Sequence, residues 1–218
     1  MKTPILALFV SLSLIANAQY NSLGIGAGSS FFRGETTATG ALLEEPGLNL
    51  YGYYSYWLPA DERFQLIAHL NFDFNNPKIQ STTDGGLSYE AHTFVLSPLF
   101  GLRFYLDKWL MDYVPEKNQD AFFAGVYIGP ALSYADYQNP SMPNARPDLY
   151  NKGIQLSFNS MTEVGYRIFR NEFWSYEVKT GFQYGFYDGW DGYKGSSGIN
   201  DWIFHLSLGM SYSFYKFR

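Results

Sequence analysis

Several residue types are absent or scarce in this 218-residue chain. Cysteine is absent, which excludes disulfide bonds, thiolate metal ligands, a cysteine nucleophile and a lipid anchor on an N-terminal cysteine. Charged residues make up only 16%, and 20 acidic side chains face 15 basic ones, giving a net charge of −5. There is no basic block, so the sequence disfavours a nucleic-acid partner, which would bind chiefly through neutralised phosphates.

Long apolar runs are also missing, except at the N-terminus. After the positive charge of Lys2, residues 5–16 are apolar apart from two serines, and residues 16–18 read Ala-Asn-Ala. Small residues at these positions fit cleavage by signal peptidase. The run is well short of the roughly 20 residues that a membrane-spanning helix needs. We therefore expect residues 1–18 to be a cleaved signal peptide and 19–218 to form one exported domain without membrane helices.

The mature chain is instead rich in aromatic residues and has a period of two. From Phe64 to Phe74 apolar even positions alternate with mostly polar odd ones, as in a β-strand. The same alternation recurs in five further segments: Phe94 to Leu106, Phe122 to Tyr134, Ile154 to Ile168, Trp174 to Phe186 and Trp202 to Phe214. Two weaker segments, Tyr20 to Arg33 and the tyrosine-rich Leu48 to Leu58, bring the prediction to eight strands.

Charged side chains avoid one face of these strands. In the six clearest segments the apolar face carries no charge, although 16% of the chain is charged. The opposite face carries His69 and His205 and six ionic residues: Asp73, Arg103, Glu163, Arg167, Glu177 and Lys179. A soluble lipocalin-like barrel would have the inverse arrangement, with apolar residues inside and charges outside.

The length of the strands indicates a membrane barrel. Strands in soluble proteins usually have about five or six residues, whereas a tilted strand that crosses a bilayer needs about 9 to 11. Because unpaired backbone groups are too costly in hydrocarbon, such strands must close on themselves. The sequence therefore predicts a closed, antiparallel, eight-stranded transmembrane β-barrel in contact with outer-membrane lipid.

The connectors predict its orientation in the outer membrane of a Gram-negative cell. Short links alternate with longer polar ones at 34–46, 75–86, 138–152 and 188–200. Outer-membrane barrels have short periplasmic turns and longer external loops. Aromatic residues near the strand ends are expected to form interfacial girdles: Trp57, Tyr134, Tyr166, Trp174 and Trp202.

The six ionic residues are expected to pair inside the barrel. Eight strands leave an interior just wide enough for side chains to fill, which predicts a plugged lumen. A link at 170–172 would make Glu163 face Lys179 and place Arg167 diagonal to Glu177. A proton relay or ion path is the alternative for charges at membrane depth.

One pair of residues raises the possibility of an enzyme. His205 and Ser207 lie two apart on one strand face, which resembles the His-x-Ser pair of outer-membrane lipid A deacylases. Parity points both into the lumen, however, and Leu208 stands where that pattern has asparagine. The sequence favours a protein that is not an enzyme.

A surface adhesin or receptor is the other alternative. The external loops contain the aromatic residues Tyr150, Trp190 and Tyr193, which could bind a surface ligand or belong to a girdle. No glycine-rich phosphate loop and no cluster of metal ligands occurs in the sequence, so we expect no cofactor.

The connector at 107–120 is unusual because it is long where a short periplasmic turn is expected. Pro115 would end a short helix there. Its apolar face would consist of Trp109, Leu110, Tyr113 and Val114. That face could rest on the headgroups of the inner leaflet or dock a periplasmic partner.

Several stretches resemble a known family of small barrels. They are LGIGAGSSFFRGE, TFVLSPLFGLRFYL, AFFAGVYIGPALSYADYQNP and EVGYRIFRNEFWSYEVKTGFQYGFYDGWDGY. Together they resemble the PorG-type outer-membrane barrels of the type IX secretion and gliding-motility apparatus. The resemblance implies a non-enzymatic accessory that anchors periplasmic secretion-complex proteins to the outer membrane.

Overall fold

Strands account for nearly all of the described structure. The computed structural model describes residues 21–33, 46–58, 63–76, 78–80, 88–106, 120–137, 153–171, 173–186, 190 and 201–214. The strands are β1 (Asn21–Arg33), β2 (Gly47–Trp57), β3 (Phe64–Asn75), β4 (Lys78–Gln80), β5 (Ser88–Tyr105), β6 (Ala121–Tyr137), β7 (Gly153–Phe169), β8 (Trp174–Gly185) and β9 (Trp202–Ser213). None of the described residues forms a helix long and apolar enough to cross a membrane.

The strands close into a barrel. Strands adjacent in the wall pair antiparallel, β1 pairs with β9, and β3 pairs with β5. The three-residue β4 continues β3 along β5 in the same register. β3 and β4 therefore count as one strand of the wall, and the barrel has eight strands, as predicted. β4 was not predicted, since all of 75–86 was expected to be a connector and three residues are too few to show a period.

Side chains alternate between the lumen and the outer surface. In β3, Ile67 and His69 are buried, whereas their neighbours Leu66 and Leu70 are exposed. The same alternation leaves apolar side chains on the outside of all eight strands of the wall. They include Ile25, Leu50, Leu66, Phe100, Val126, Val164, Val178 and Leu208. The outer surface is therefore apolar over the height of the barrel, as contact with acyl chains requires.

Glycines on the lumen side of β1 make room for tyrosine rings from β2. Gly24 pairs with Tyr53 and Gly26 with Tyr51. A Cβ atom at Gly24 would overlap the Tyr53 ring, and one at Gly26 would overlap the Tyr51 ring. The glycine-rich first strand thus lets two large rings lie flat across the wall and fill the lumen.

One of the five residues expected in the aromatic girdles lies inside the barrel instead. Trp57 is only 7% exposed and stacks on the buried Tyr105, with ring centroids 4.8 Å apart. Its position has the same parity as Tyr51 and Tyr53, so β2 turns it into the lumen. Tyr134 and Trp174 do lie on the outer surface.

An arginine at the middle of the outer surface should be far more damaging than one at its edge. Ile128 is 51% exposed near the middle of β6, and Ile154 is 73% exposed one residue from the end of β7. In a bilayer, Ile128→Arg should reduce the free energy of unfolding by roughly 2–4 kcal/mol and Ile154→Arg by about 0–1 kcal/mol. Urea unfolding in liposomes measures both; equal losses would contradict the membrane orientation.

Candidate functional site

Glu163 is the centre of an ionic cluster inside the barrel. Its Oε1 accepts hydrogen bonds from Arg103 Nε at 3.1 Å and Nη2 at 2.6 Å, and from the hydroxyl of Tyr127. Its Oε2 accepts a hydrogen bond from Lys179 Nζ at 2.9 Å. All of these side chains are buried. A buried carboxylate is tolerated only when its partners satisfy it, and here both oxygens are engaged.

Glu177 extends the cluster toward the end of the barrel where β1 begins and β9 ends. Its Oε1 accepts hydrogen bonds from Arg103 Nη1 at 2.9 Å and from the hydroxyl of Tyr53. Arg167 Nε lies 3.7 Å from the same oxygen. Arg167 also donates to Tyr105 Oη at 2.9 Å, Ser175 Oγ at 2.7 Å and Ser211 Oγ at 2.6 Å, which joins four strands.

Aromatic rings contribute to holding the cations of the cluster. Arg103 Cζ lies 4.0 Å from the centroid of Phe123 and 4.9 Å from that of Tyr53. Lys179 Nζ lies 3.6 Å from the centroid of Tyr51. Two carboxylates face three cations, and the electron-rich ring faces add attraction for the positive charge.

The register between β7 and β8 differs from the prediction by two residues. Asn171 Oδ1 accepts hydrogen bonds from the backbone nitrogens of Phe173 and Trp174, and Arg170 N donates to Trp174 O. This turn begins one residue later than expected. Arg167 therefore pairs directly with Glu177, and Glu163 pairs with Gly181 and reaches Lys179 diagonally. Because the shift is even, every side chain keeps its face.

Asp73 lies apart from the other five ionic residues, contrary to expectation. It accepts hydrogen bonds from Asn49 Nδ2 at 2.9 Å and Asn71 Nδ2 at 2.6 Å, and its Oδ1 lies 3.1 Å from His205 Nε2. Asp73 is near the loop end of β3, whereas the ionic cluster lies closer to the turn end. It belongs to an amide layer that Asn49, Asn71 and Gln183 form around it. In this layer Asn71 Nδ2 also donates a hydrogen bond to Gln183 Oε1.

A small polar cavity separates the ionic cluster from this amide layer. Its volume is about 10 Å³, close to the lower limit for one water molecule. The lining residues come from five strands: Asn49, His69, Asn71, Met161, Glu163, Lys179, Gly181, His205 and Ser207. At this level the lumen is filled by side chains and leaves no room for a solute to diffuse through.

His205 and Ser207 are both buried in the lumen. Ser207 Oγ donates a hydrogen bond to Asn49 Oδ1 at 2.9 Å, and His205 faces Asp73. A serine nucleophile needs its hydroxyl directed at a base and a path to its substrate. Here the hydroxyl is directed at an amide oxygen, and both residues face away from the outer, lipid-facing surface.

Trp190 packs into the lumen at the end of the barrel where β9 begins. It is 1% exposed and packs with Val95, Ala131 and Ile203. Its Nε1 donates to Ser157 Oγ at 2.9 Å, and its backbone nitrogen donates to Asp201 Oδ2 at 2.5 Å. Trp190 was a candidate for binding a surface ligand, but its side chain is buried inside the barrel.

The sequence did not single out the uncharged side chains that fill the lumen between the ionic residues. These residues include Asn49, Tyr51, Tyr53, Asn71, Tyr127, Asn159 and Gln183, all buried in the lumen. Each shares the parity of the ionic residues in its own or a neighbouring strand, so the signal was present. The other expectations on the connectors lie outside the described residues: Trp109, Leu110, Tyr113, Val114, Tyr150 and Tyr193. Across the described ranges no His, Asp and Glu side chains group as a metal site.

Comparisons with known proteins support the architecture. No family model and no curated protein matches the sequence. The structure is similar to Neisserial surface protein A (TM-score 0.54, 9% identity, 89% of this chain and 97% of that one). It is also similar to a major outer membrane protein from Thermus thermophilus (0.54, 12%, 88% and 98%) and to OprG from Pseudomonas aeruginosa (0.51, 12%, 90% and 97%).

The fold is therefore that of a small outer-membrane β-barrel with eight antiparallel strands and a filled lumen. At these identities the likeness extends to the fold alone. One fold can carry many unrelated functions, so function has to be argued from this chain's own residues.

Removing the charge at the centre of the cluster should strongly destabilise the barrel. Glu163→Gln leaves Arg103 and Lys179 buried without their carboxylate and should reduce the free energy of unfolding by about 3–5 kcal/mol. The matched control is Asp120→Asn at an exposed site, where the amide oxygen still accepts the bond from Phe169 N. The control should change stability by less than about 0.5 kcal/mol. Equal midpoints for both variants in urea would refute the role of the cluster.

Proposed function

We propose that this chain is a non-enzymatic outer-membrane barrel that serves as a structural docking component of an envelope assembly. The ion-paired, side-chain-filled lumen is the observation that supports it most. Five charged side chains from three strands are tied together in the interior. Such a core suits a rigid anchor in the membrane better than a channel, because transport along the axis would require the cluster to come apart.

The positions of the candidate residues support docking over the alternatives. His205 and Ser207 face the lumen, away from the lipid that a deacylase would have to reach. Trp190 is buried in the mouth and is not presented to a surface ligand. What the rigid barrel offers to partners is therefore its connectors, and the long periplasmic one at 107–120 is the proposed contact.

The finer proposal is that the partners are periplasmic proteins of a type IX secretion machine. It rests on the resemblance of the mature chain to PorG-type barrels. In this role the signal peptide directs export, the apolar belt holds the barrel in the outer membrane of a Gram-negative cell, and the connector at 107–120 binds the periplasmic components.

Replacing the connector tests the docking role directly. In one variant a short glycine–serine turn replaces residues 108–119, and in a matched control a similar turn replaces the external segment 139–151. Crosslinking in intact envelopes, followed by purification of the barrel, identifies its neighbours. We expect the first variant to lose its periplasmic partners while folding normally, as judged by heat-dependent gel mobility, and the control to keep them. A first variant that keeps every partner would refute the proposal.

A further inference from the structure

Two buried histidine rings border the small polar cavity between the ionic cluster and the amide layer. His69 and His205 both line it, and they are only 3% and 4% exposed. Within the part of the chain that the structure describes, His69 Nδ1 and His205 Nε2 have no hydrogen-bond partner. Buried polar atoms in proteins nearly always have one, so these two nitrogens call for an explanation.

Lys179 determines where His69 carries its proton. Lys179 Nζ lies 3.2 Å from His69 Nε2, and an ammonium group can only donate a hydrogen bond. Nε2 therefore accepts, which requires a neutral imidazole with its proton on Nδ1. The unpartnered Nδ1 of His69 is thus an N–H donor that needs an acceptor.

The second ring borders the space that a glycine leaves free. His205 Nε2 lies 3.1 Å from Asp73 Oδ1, but the two atoms lack the alignment of a hydrogen bond. A Cβ atom at Gly181 would lie 3.4 Å from His205 Nδ1. Gly181 also lines the cavity, so the missing side chain at this position helps to keep the cavity open.

Other lining residues supply acceptors. Glu163 Oε2 accepts a hydrogen bond from Lys179, Asn71 Oδ1 accepts one from Asn49, and Asn49 Oδ1 accepts one from Ser207. Carboxylate and amide oxygens each have two acceptor sites, so each of these oxygens can take a second bond. One N–H donor and three oxygens therefore border the same small space.

We infer that this cavity binds one structural water molecule. The water accepts the bond from His69 Nδ1 and donates to two of the oxygens of Glu163, Asn49 and Asn71. A buried water needs two to four polar partners and a cavity of roughly 10–15 Å³, and this cavity measures about 10 Å³. Because its partners belong to both layers, the water joins the ionic cluster to the amide layer. The inference does not depend on the proposed docking role.

The size and charge of the site exclude other small occupants. Lys179 and Glu163 already pair at 2.9 Å, so a further ion of either sign would be buried without a counter-charge. A cation would also face the ammonium group of Lys179 and the N–H of His69. An apolar occupant would leave that N–H unpartnered, and the volume admits nothing larger than water.

A crystal structure of the wild-type barrel tests the site directly. At a resolution that shows ordered waters, one water should lie within about 3.2 Å of His69 Nδ1. A cavity without a water peak, or His69 Nδ1 bonded to a protein atom in place of a water, overturns the inference.

Gly181 supplies a second measurement, because a side chain there enters the cavity. Gly181→Ala displaces the water and leaves the N–H of His69 without an acceptor. Gly181→Ser adds the same Cβ atom, with the same close contacts to Thr162 O and His205 Nδ1, but its hydroxyl can replace the water. In urea unfolding in liposomes, the midpoint of the serine variant should be higher than that of the alanine variant by roughly 0.5–1 M.

Gly52 is the matched control because it faces the outer surface, between the lumen-facing Tyr51 and Tyr53. A Cβ atom there would have only Gly24 O nearby, at 3.7 Å. The order should be reversed at this position, with Gly52→Ala above Gly52→Ser, because a hydroxyl in hydrocarbon costs more than a methyl group. A dry cavity would give the same order at both positions, with alanine above serine at 181, and this result contradicts the water site.

Discussion

The interior of a bilayer offers peptide groups no hydrogen-bond partner, and this constraint governs the whole structure. It forces the strands to pair on both sides and the sheet to close, which β1–β9 and β3–β5 accomplish. Closure gives each strand two unlike surroundings, acyl chains outside and a narrow lumen inside. The period of two in the sequence follows from this difference, because successive side chains of a strand point to opposite faces.

Properties that depend on side-chain direction could be predicted from the sequence, and those that depend on a single turn or a contact between distant strands could not. Parity placed Arg103, Glu163 and Lys179 inside, because one residue of error would have put a charge into lipid. The predicted β7–β8 register was wrong because Asn171 accepts two hydrogen bonds from backbone N–H groups, which moves the turn by one residue. The pairing of Asp73 with His205 joins β3 to β9 across the lumen, which no local pattern reveals.

Buried ionic clusters add little net stability when desolvation is included, but they strongly penalise arrangements that separate the charges. In this barrel Arg103 and Glu163 link β5 to β7, and Lys179 links β8 to the same carboxylate. The cluster thus favours one arrangement of these strands.

The direction of the side chains is measured most directly by nuclear Overhauser contacts between lipid acyl protons and labelled methyl groups. In a lipid nanodisc, Ile25, Ile128 and Leu208 should contact acyl chains, because they lie exposed on the outer surface. Their chemical equivalents Ile67, Leu99 and Ile203 should show no such contact, because they are buried in the lumen. Acyl contacts from the second set, or none from the first, would contradict the account.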